Sequence, residues 1–176
     1  VTCGTGTDAL MLSLMASGLE RGDEVIMPAF TFAAVAEVVL LLGGVPVFAD
    51  VDESTFNIDP ESVDRMVSAR TKAIVPVHLF GQPCDMVSLT DIAARNNLVL
   101  IEDNAQSFGA VCRMPSGHDV FAGAVGNIGC TSFFPSKVLG CFGDGGAVFT
   151  DDDKSAELIR ALANHGQYKK YTHEYV

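Results

Sequence analysis

The sequence predicts an α/β domain in which helices cover both faces of a mostly parallel sheet. Two observations predict this fold class. Short apolar segments alternate along the chain with segments of helical periodicity, and parallel strands need such crossovers between them. The apolar segments are also continuous, which is typical of strands buried on both faces. With 176 residues, of which 48% are hydrophobic, we expect residues 1–176 to form one domain.

Four elements are predicted before residue 50. Apolar residues at helical spacing predict a helix over 8–17, and the continuous apolar segment 24–27 predicts a strand. A second helix is predicted over 31–42, and a second strand over 45–49. The stripe on the first helix consists of Leu10, Met11, Leu14 and Met15.

Beyond residue 50 the signals continue to alternate. Asp59 as N-cap and Pro60 in the first helical position predict the start of a third helix. The remaining predicted elements are a strand over 73–77, a helix over 86–95, strands over 98–101, 128–134 and 147–150, and a helix over 152–164. In a parallel sheet, ligands bind at the carboxyl ends of the strands. His78, the turn at 81–83 and Asp103 all follow predicted strands, so we expect them at one rim.

Composition excludes several classes of function. The net charge of −11 and a pI near 4.5 argue against a nucleic-acid partner. The five cysteines show no C-x-x-C pattern and no histidine at ligand spacing, which predicts reduced thiols in a cytoplasmic protein and no metal site. The longest apolar stretch, 33–42, carries Glu37 and is too short to span a bilayer, so no membrane association is predicted.

The chain is expected to be part of a longer protein. It begins with Val1-Thr-Cys3, without an initiator methionine. Its first residues already belong to the small-residue turn Gly4-Thr-Gly-Thr-Asp8, which runs into the first helix.

Three groups in the sequence together indicate pyridoxal 5'-phosphate (PLP) chemistry. Lys137 follows an apolar segment and precedes a glycine-rich turn, and such an amine can form a Schiff base; alone, it reads equally well as a solvated lysine. Asp103 at a strand end can pair with a pyridine nitrogen, or simply cap the next turn. The N–H groups of Gly6 and Thr7, at a helix N-terminus, can bind a phosphate.

Three further residues are candidates for the same site. Ser132, five residues before Lys137, can offer its hydroxyl to the phosphate, although it can also be an ordinary strand serine. Gln106 can turn back to the cofactor ring or remain an exposed loop amide. Phe32 can stack on a planar cofactor, but an aromatic residue on a helix more often belongs to the core. For His78 the structural interpretation, a hydrogen-bonded histidine at the rim, is the better one.

These residues together resemble the nucleotide-sugar aminotransferases of the StrS/DegT family, within the aspartate-aminotransferase-like PLP enzymes. The resemblance covers nearly the whole chain. The matching stretches are Gly6-Thr-Asp-Ala-Leu10, Gly22-Asp-Glu-Val-Ile-Met-Pro-Ala-Phe-Thr-Phe32, Phe56-Asn-Ile-Asp59, Thr71-Lys-Ala-Ile-Val-Pro-Val-His-Leu-Phe-Gly-Gln82, Glu102-Asp-Asn-Ala-Gln106, Ser132-Phe-Phe-Pro-Ser-Lys137 and Gly143-Asp-Gly-Gly146.

The resemblance implies a three-layer α/β/α large domain and a role for each matched residue. Lys137 and Asp103 are implied as the catalytic pair, the Schiff-base lysine and the partner of the pyridine nitrogen. The implied cofactor contacts are Gly6, Thr7 and Ser132 on the phosphate, Gln106 at the ring hydroxyl and Phe32 on the ring face. Two departures are noted, Ala33-Ala34 in place of a small hydroxyl residue and Asn104 in place of alanine.

The resemblance also implies an activity, the transfer of an amino group from glutamate to a nucleotide-linked keto sugar. The Phe-Phe-Pro-Ser-Lys137 form is most similar to members that aminate 3-keto sugars such as UDP-linked 3-oxo-glucuronate. Amino-sugar or cell-surface polysaccharide biosynthesis, and a homodimer with shared active sites, are further implications. The N-terminal segment and the C-terminal small domain of the family are expected to be absent here.

Two alternatives to the aminotransferase are kept open. One is a PLP-dependent sugar dehydratase of the same family, although those members carry a histidine where Lys137 stands. The other is a fragment or sensor that binds PLP without turnover.

Overall fold

The computed structural model describes residues 1–169 and 171–173, and it confirms an α/β fold with a mostly parallel sheet. The strands are β1 (Thr2–Cys3), β2 (Glu24–Pro28), β3 (Val45–Ala49), β4 (Thr71–Ile74), β5 (Val99–Asp103), β6 (Val111–Arg113), β7 (Asp119–Phe121), β8 (Ile128–Ser132), β9 (Gly146–Phe149), β10 (Gln167–Lys169) and β11 (Thr172–His173). Seven of them form the central sheet in the order β1-β9-β8-β5-β4-β2-β3.

Strands β3, β2, β4, β5 and β8 of this sheet run parallel. Strand β9 runs antiparallel to both β8 and β1. The pairs β6–β7 and β10–β11 form separate two-stranded hairpins. The carboxyl ends of the five parallel strands therefore meet at one edge of the sheet.

The first four helices lie between consecutive strands from β1 to β5, and the fifth follows β9. They are α1 (Gly6–Ala16), α2 (Ala34–Leu41), α3 (Pro60–Met66), α4 (Met86–Asn96) and α5 (Asp153–Leu162), and a short 3-10 turn covers Leu79–Gly81. Asp59 caps α3 as predicted, because its carboxylate accepts the N–H groups of Glu61 and Ser62.

Two hydrophobic clusters cover the two faces of the sheet. One is built with residues of α1, α2 and α5, and the other with residues of α3 and α4. Neighbouring residues of β5 belong to different clusters, because Leu100 packs in the second cluster and Ile101 in the first. This alternation follows from the pleat of a strand, and it gives the three-layer arrangement expected from the sequence.

Several predicted boundaries shift. Helix α1 begins at Gly6 rather than residue 8, because the Thr5 hydroxyl accepts the N–H of Asp8 and caps the helix there. The apolar stripe is wrong in part, since Met15 is 39% exposed while Leu12 is buried. Helix α1 packs against the sheet, α2 and α5 together, so more than one of its faces is covered.

The start of the second helix is also corrected. Helix α2 begins at Ala34 rather than residue 31, which places Phe32 in the loop after β2. Phe32 is 70% exposed and so is not a core residue of a helix. Within the described part of the chain, no helix has the length and apolarity that crossing a bilayer would need.

Candidate active site

A pocket of about 400 Å³ opens where β5 and β8 end and α1 begins. Six of the seven residues proposed from the sequence line it: Gly6, Thr7, Phe32, Asp103, Ser132 and Lys137. The other lining residues are Thr5, Leu10, Ala34, Ala105, Thr131, Phe134, Ser136 and Asp144. The fold thus brings together residues that are up to 139 positions apart in the chain (from Thr5 to Asp144).

The floor of the pocket is a turn with two free N–H groups. Thr5 caps α1 through the N–H of Asp8, which leaves the N–H groups of Gly6 and Thr7 without an acceptor in the described part of the chain. A Cβ built on Gly6 would lie 2.6 Å from the Cβ of Ser132, so only glycine allows this close approach. The Ser132 hydroxyl, at the end of β8, completes the polar floor.

Asp103 is the last residue of β5 and is 9% exposed. One carboxylate oxygen accepts the N–H of Ala105 at 3.0 Å. Burial raises the pKa of this carboxyl group above its ordinary value, and the Ala105 N–H, His78 and Lys137 offset that shift only in part. A buried carboxylate at a pocket wall is therefore short of positive charge, which a cationic ligand would supply.

Lys137 lies in the loop between β8 and β9 and is partly buried. Its backbone N–H donates to the carbonyl of Phe134 at 2.8 Å, and this turn directs the loop across the pocket. None of the ion pairs found among the described residues includes Lys137 or Asp103. The amine is thus left available to a ligand.

Gln106 lies outside the pocket lining. Its side-chain oxygen accepts the backbone N–H of Phe80 at 3.0 Å, which ties the loop after β5 to the loop after β4. The role of Gln106 at the cofactor ring stays a prediction. Phe32 does line the pocket, and its exposed ring is free to cover a ligand.

Thr5 and Asp144 are among the lining residues that sequence reasoning missed. Thr5 is the N-cap of α1, and the Thr5-x-x-Asp8 spacing was a signal for it. Asp144, in the Gly143-Asp-Gly-Gly146 turn, adds an exposed second carboxylate to the pocket. No local pattern marks Asp144, because its place depends on how the loop before β9 folds back.

Behind the pocket lies a buried polar cluster. His78 and Glu102 are both 0% exposed, and the histidine Nε2 lies 2.9 Å from Glu102 Oε2. His78, the 3-10 turn and Asp103 do share one rim, since the N–H of His78 donates to the carbonyl of Asp103 at 3.0 Å. The structural interpretation of His78 is confirmed.

The sequence matches the DegT/DnrJ/EryC1/StrS aminotransferase family over residues 1–176. The chain belongs to this family. The StrS/DegT resemblance inferred from the motifs is therefore confirmed.

Curated relatives at similar identity carry different descriptions. The UDP-2-acetamido-2-deoxy-3-oxo-D-glucuronate aminotransferase of Pseudomonas aeruginosa is 48% identical over 98% of this chain and 47% of its own length. The UDP-N-acetyl-3-dehydro-alpha-D-glucosamine 3-aminotransferase of Acidithiobacillus ferrooxidans is 48% identical over 99% of this chain and 46% of its own. The sensory transduction protein EryC1 of Saccharopolyspora erythraea is also 48% identical, over 99% and 46%.

Solved structures share the fold. S. venezuelae DesV superposes with a TM-score of 0.92 at 43% identity, over 99% of this chain and 46% of its own. The E. coli GDP-4-keto-6-deoxy-D-mannose-3-dehydratase with bound hydrated PLP has a TM-score of 0.86 at 29% identity, over 98% and 44%. The chain thus spans about half the length of these relatives.

Proposed function

We propose that this chain is the cofactor-binding large domain of a PLP-dependent aminotransferase that transfers the amino group of glutamate to a nucleotide-linked 3-keto sugar. One observation carries the proposal: a single pocket holds a free lysine, a buried carboxylate and a helix N-terminus with free N–H groups. The small domain and the N-terminal segment would lie in parts of the protein beyond this chain.

The pocket fits PLP by the chemistry of its donors. The open N–H groups of Gly6 and Thr7 and the Ser132 hydroxyl suit a phosphate dianion, and the Gly6 contact keeps that cradle clear of a side chain. The Asp103 carboxylate, which lacks a cationic partner, suits a protonated ring nitrogen. Lys137 is the amine that would bond to the cofactor's aldehyde carbon.

When bound, PLP supplies a carbonyl carbon that carries the amino group and a ring that accepts electrons. The chain's residues bind it, orient it and move the proton. Asp103 would keep the proton on the ring nitrogen, and Phe32 would cover one face of the ring. Lys137, once its amine is free, would take the proton from the Cα of the donor and deliver it to C4′ of the cofactor.

The nature of the acceptor is supported by the residues that line the pocket. Lys137 is the only Lys or Arg among them in the described part of the chain. An arginine for bidentate capture of a second carboxylate, which glutamate also carries, would have to come from elsewhere in the protein. A sugar ring instead offers hydroxyl groups, which Asp144 and Ser136 can bind.

A homodimer with shared active sites is part of the proposal. Four apolar side chains of the Lys137 loop are strongly exposed: Phe134 at 49%, Val138 at 64%, Leu139 at 48% and Phe142 fully. A second copy packed on this loop would cover the open side of the pocket and exclude water from it. We also place the protein in the cytoplasm, in amino-sugar or cell-surface polysaccharide biosynthesis, a setting that fits its five free cysteines.

Covalent trapping tests the site. We expect borohydride to attach PLP permanently to the full-length protein and peptide mass spectrometry to find it on Lys137. Lys137→Ala should abolish attachment and amino transfer while circular dichroism shows an unchanged fold. Covalent label retained by Lys137→Ala would refute the assignment.

A substrate panel separates the aminotransferase from its alternatives. We expect the full-length protein to convert a UDP- or dTDP-linked 3-keto sugar with glutamate far faster than it exchanges aspartate with 2-oxoglutarate. A deoxy-sugar product without an added amino group would indicate the dehydratase. Trapped PLP with no turnover of any substrate would indicate a sensor or binding protein.

A further inference from the structure

Glu102 is a fully buried carboxylate with four hydrogen-bond donors. Oε2 accepts the N–H of Gly123 at 2.8 Å and faces His78 Nε2 at 2.9 Å. Oε1 accepts the N–H groups of Val125 at 2.7 Å and Gly126 at 2.6 Å. One side chain of β5 therefore holds both the histidine after β4 and the loop that leads into β8.

The tautomer of His78 follows from its second ring nitrogen. Nδ1 accepts the backbone N–H of Cys84 at 3.1 Å, so the ring proton resides on Nε2 and is donated to Glu102. Burial acts to raise the pKa of Glu102, but the hydrogen bonds from His78 and from the N–H groups of Gly126 and Gly123 outweigh it and lower the pKa. Glu102 is thus an ionised acceptor at neutral pH.

This cluster is joined to Asp103 through the backbone. The N–H of His78 donates to the Asp103 carbonyl at 3.0 Å, and the N–H of Asp103 donates to the Pro76 carbonyl at 2.9 Å. Glu102 and Asp103 are consecutive residues of β5, so their side chains leave opposite faces of the sheet. Both the N–H and the carbonyl of Asp103 are therefore hydrogen-bonded to segment 76–78. Glu102 fixes that segment in turn through its hydrogen bond with His78.

The same carboxylate also supports β8, the strand that packs against the turn at Gly6 and Thr7. The loop at 123–126 lies directly against β8, because a Cβ on Gly129 would be 1.9 Å from the Gly123 carbonyl oxygen. Strand β8 ends at Ser132, and β5 pairs with it at Asp103 and Cys130. Movement of the Glu102 carboxylate would therefore disturb two walls of the pocket together.

We propose that His78 and Glu102 form a positioning pair that holds the Asp103 carboxylate in its direction toward the pocket. The proposal rests on the proposed function, in which Asp103 keeps the cofactor's ring nitrogen protonated. A buried polar cluster around a charged carboxylate adds little stability compared with well-packed apolar residues, whereas it can fix one arrangement of the chain. Holding Asp103 in place is such a use.

Two substitutions of His78 separate positioning from stability. His78→Gln places an amide N–H2 near the site of Nε2 and keeps the bond to Glu102. His78→Asn is shorter, so it retains only the acceptor for the Cys84 N–H. Each variant keeps one of the two side-chain hydrogen bonds. Ser62→Ala is the control, since it removes a buried acceptor from the Asp50 N–H in the cluster of α3.

The decisive readout is the chemical shift of the ring nitrogen in full-length protein loaded with 15N-labelled PLP. We expect His78→Asn to move this shift toward the unprotonated value and to slow the glutamate half-reaction about 10- to 100-fold, the loss usual for residues that orient another functional side chain. His78→Gln should stay close to wild type in both, and Ser62→Ala should lower only the melting temperature.

Several outcomes would contradict the proposal or the function on which it rests. A wild-type nitrogen shift in folded His78→Asn would overturn the positioning role, and so would equal shifts in the Asn and Gln variants. If His78→Asn fails to fold, a displaced shift in folded His78→Gln would also count against the proposal. An unprotonated ring nitrogen, or no PLP binding, in the wild-type protein would instead refute the proposed function.

Discussion

At the residue scale, the surroundings of Asp103 carry most of the functional information. Its carboxylate is nearly buried, receives one backbone N–H and has no ion-pair partner in the described part of the chain. Such a group destabilises the empty protein when it is ionised. A cationic ligand atom placed against it would remove that cost, so its unfavourable position is itself an argument for a ligand.

The raised pKa of Asp103 predicts a pH dependence. At pH values between the ordinary pKa of 3.8 and the raised pKa, Asp103 is protonated in the folded state but has lost its proton in the unfolded state. Stability of the cofactor-free protein should therefore fall as pH rises through this window. Asp103→Asn removes the titrating group and should flatten this part of the profile, as measured by urea unfolding at a series of pH values.

The control for this experiment is Asp119→Asn, at an exposed carboxylate in the hairpin β6–β7. It should keep the wild-type profile. If the free energy of unfolding changes equally with pH in the wild type and Asp103→Asn across the acidic range, Asp103 does not titrate with a raised pKa.

At the element scale, the contact between α1 and β8 brings the free N–H groups of Gly6 and Thr7 next to the Ser132 hydroxyl. A methyl group on Gly6 would lie 2.6 Å from the Ser132 Cβ and 3.2 Å from its Cα. Real Cβ atoms do not approach this closely, so the helix start and the strand end must separate. The free N–H groups of α1 and the hydroxyl of β8 would then no longer converge on one ligand.

Gly6→Ala is accordingly predicted to cost about 1–3 kcal/mol of stability, the usual penalty for overpacking, and to weaken PLP binding at least tenfold. Removing the opposing Cβ provides the test. The double variant Gly6→Ala/Ser132→Gly should regain part of the lost stability but not the PLP affinity, because the hydroxyl is gone. Thermal unfolding and PLP titration measure the two quantities, and additive stability losses in the double variant would rule out the steric explanation.

Backbone strain appears in the loops after β3 and β4. Phe56 and Phe80 have φ values of 60° and 55°, which bulky residues rarely adopt. Asn57 holds both loops, since its amide donates to the Gln82 carbonyl at 2.9 Å and accepts the Leu79 N–H at 3.0 Å. Gln106 adds a bond to the Phe80 N–H. These side chains stabilise a loop arrangement that local preference opposes.

At the scale of the whole molecule, the Lys137 loop is the least covered part of the pocket. Phe134, Val138, Leu139 and Phe142 of this loop are all exposed, and clustered apolar surface often marks a protein–protein interface. An interface between two copies would bury them, and it would enclose the pocket as the proposed chemistry requires.

Phe142→Ser is predicted to weaken association of the full-length protein by at least tenfold and to lower its activity at low protein concentration. The loss follows because the variant no longer buries an aromatic ring at the interface, and such burial is worth about 1.5–3 kcal/mol. Sedimentation equilibrium measures the dimer constant. Phe121→Ser, at an exposed phenylalanine of hairpin β6–β7, is the matched control and should leave association unchanged. Full activity of a monomeric wild-type protein would contradict the shared site.

The order of helices and strands was predictable from sequence because its signals are local. Asp59 and Pro60 mark a helix start within two residues, and the apolar run before Asp103 marks a buried strand without reference to anything else. Hairpin β6–β7 was not predicted, since its strands are three residues long and neither carries a continuous apolar segment.

The sequence by itself determined the family and the candidate residues, because Lys137, Asp103 and the turn at Gly6 each stand in a recognisable local motif. Only the tertiary structure decided which groups meet. It places Gln106 on the Phe80 N–H, adds Asp144 to the pocket and buries the His78–Glu102 pair behind Asp103. These contacts join segments that are distant in the chain. They depend on how the sheet and its loops pack, and no local sequence pattern encodes that packing.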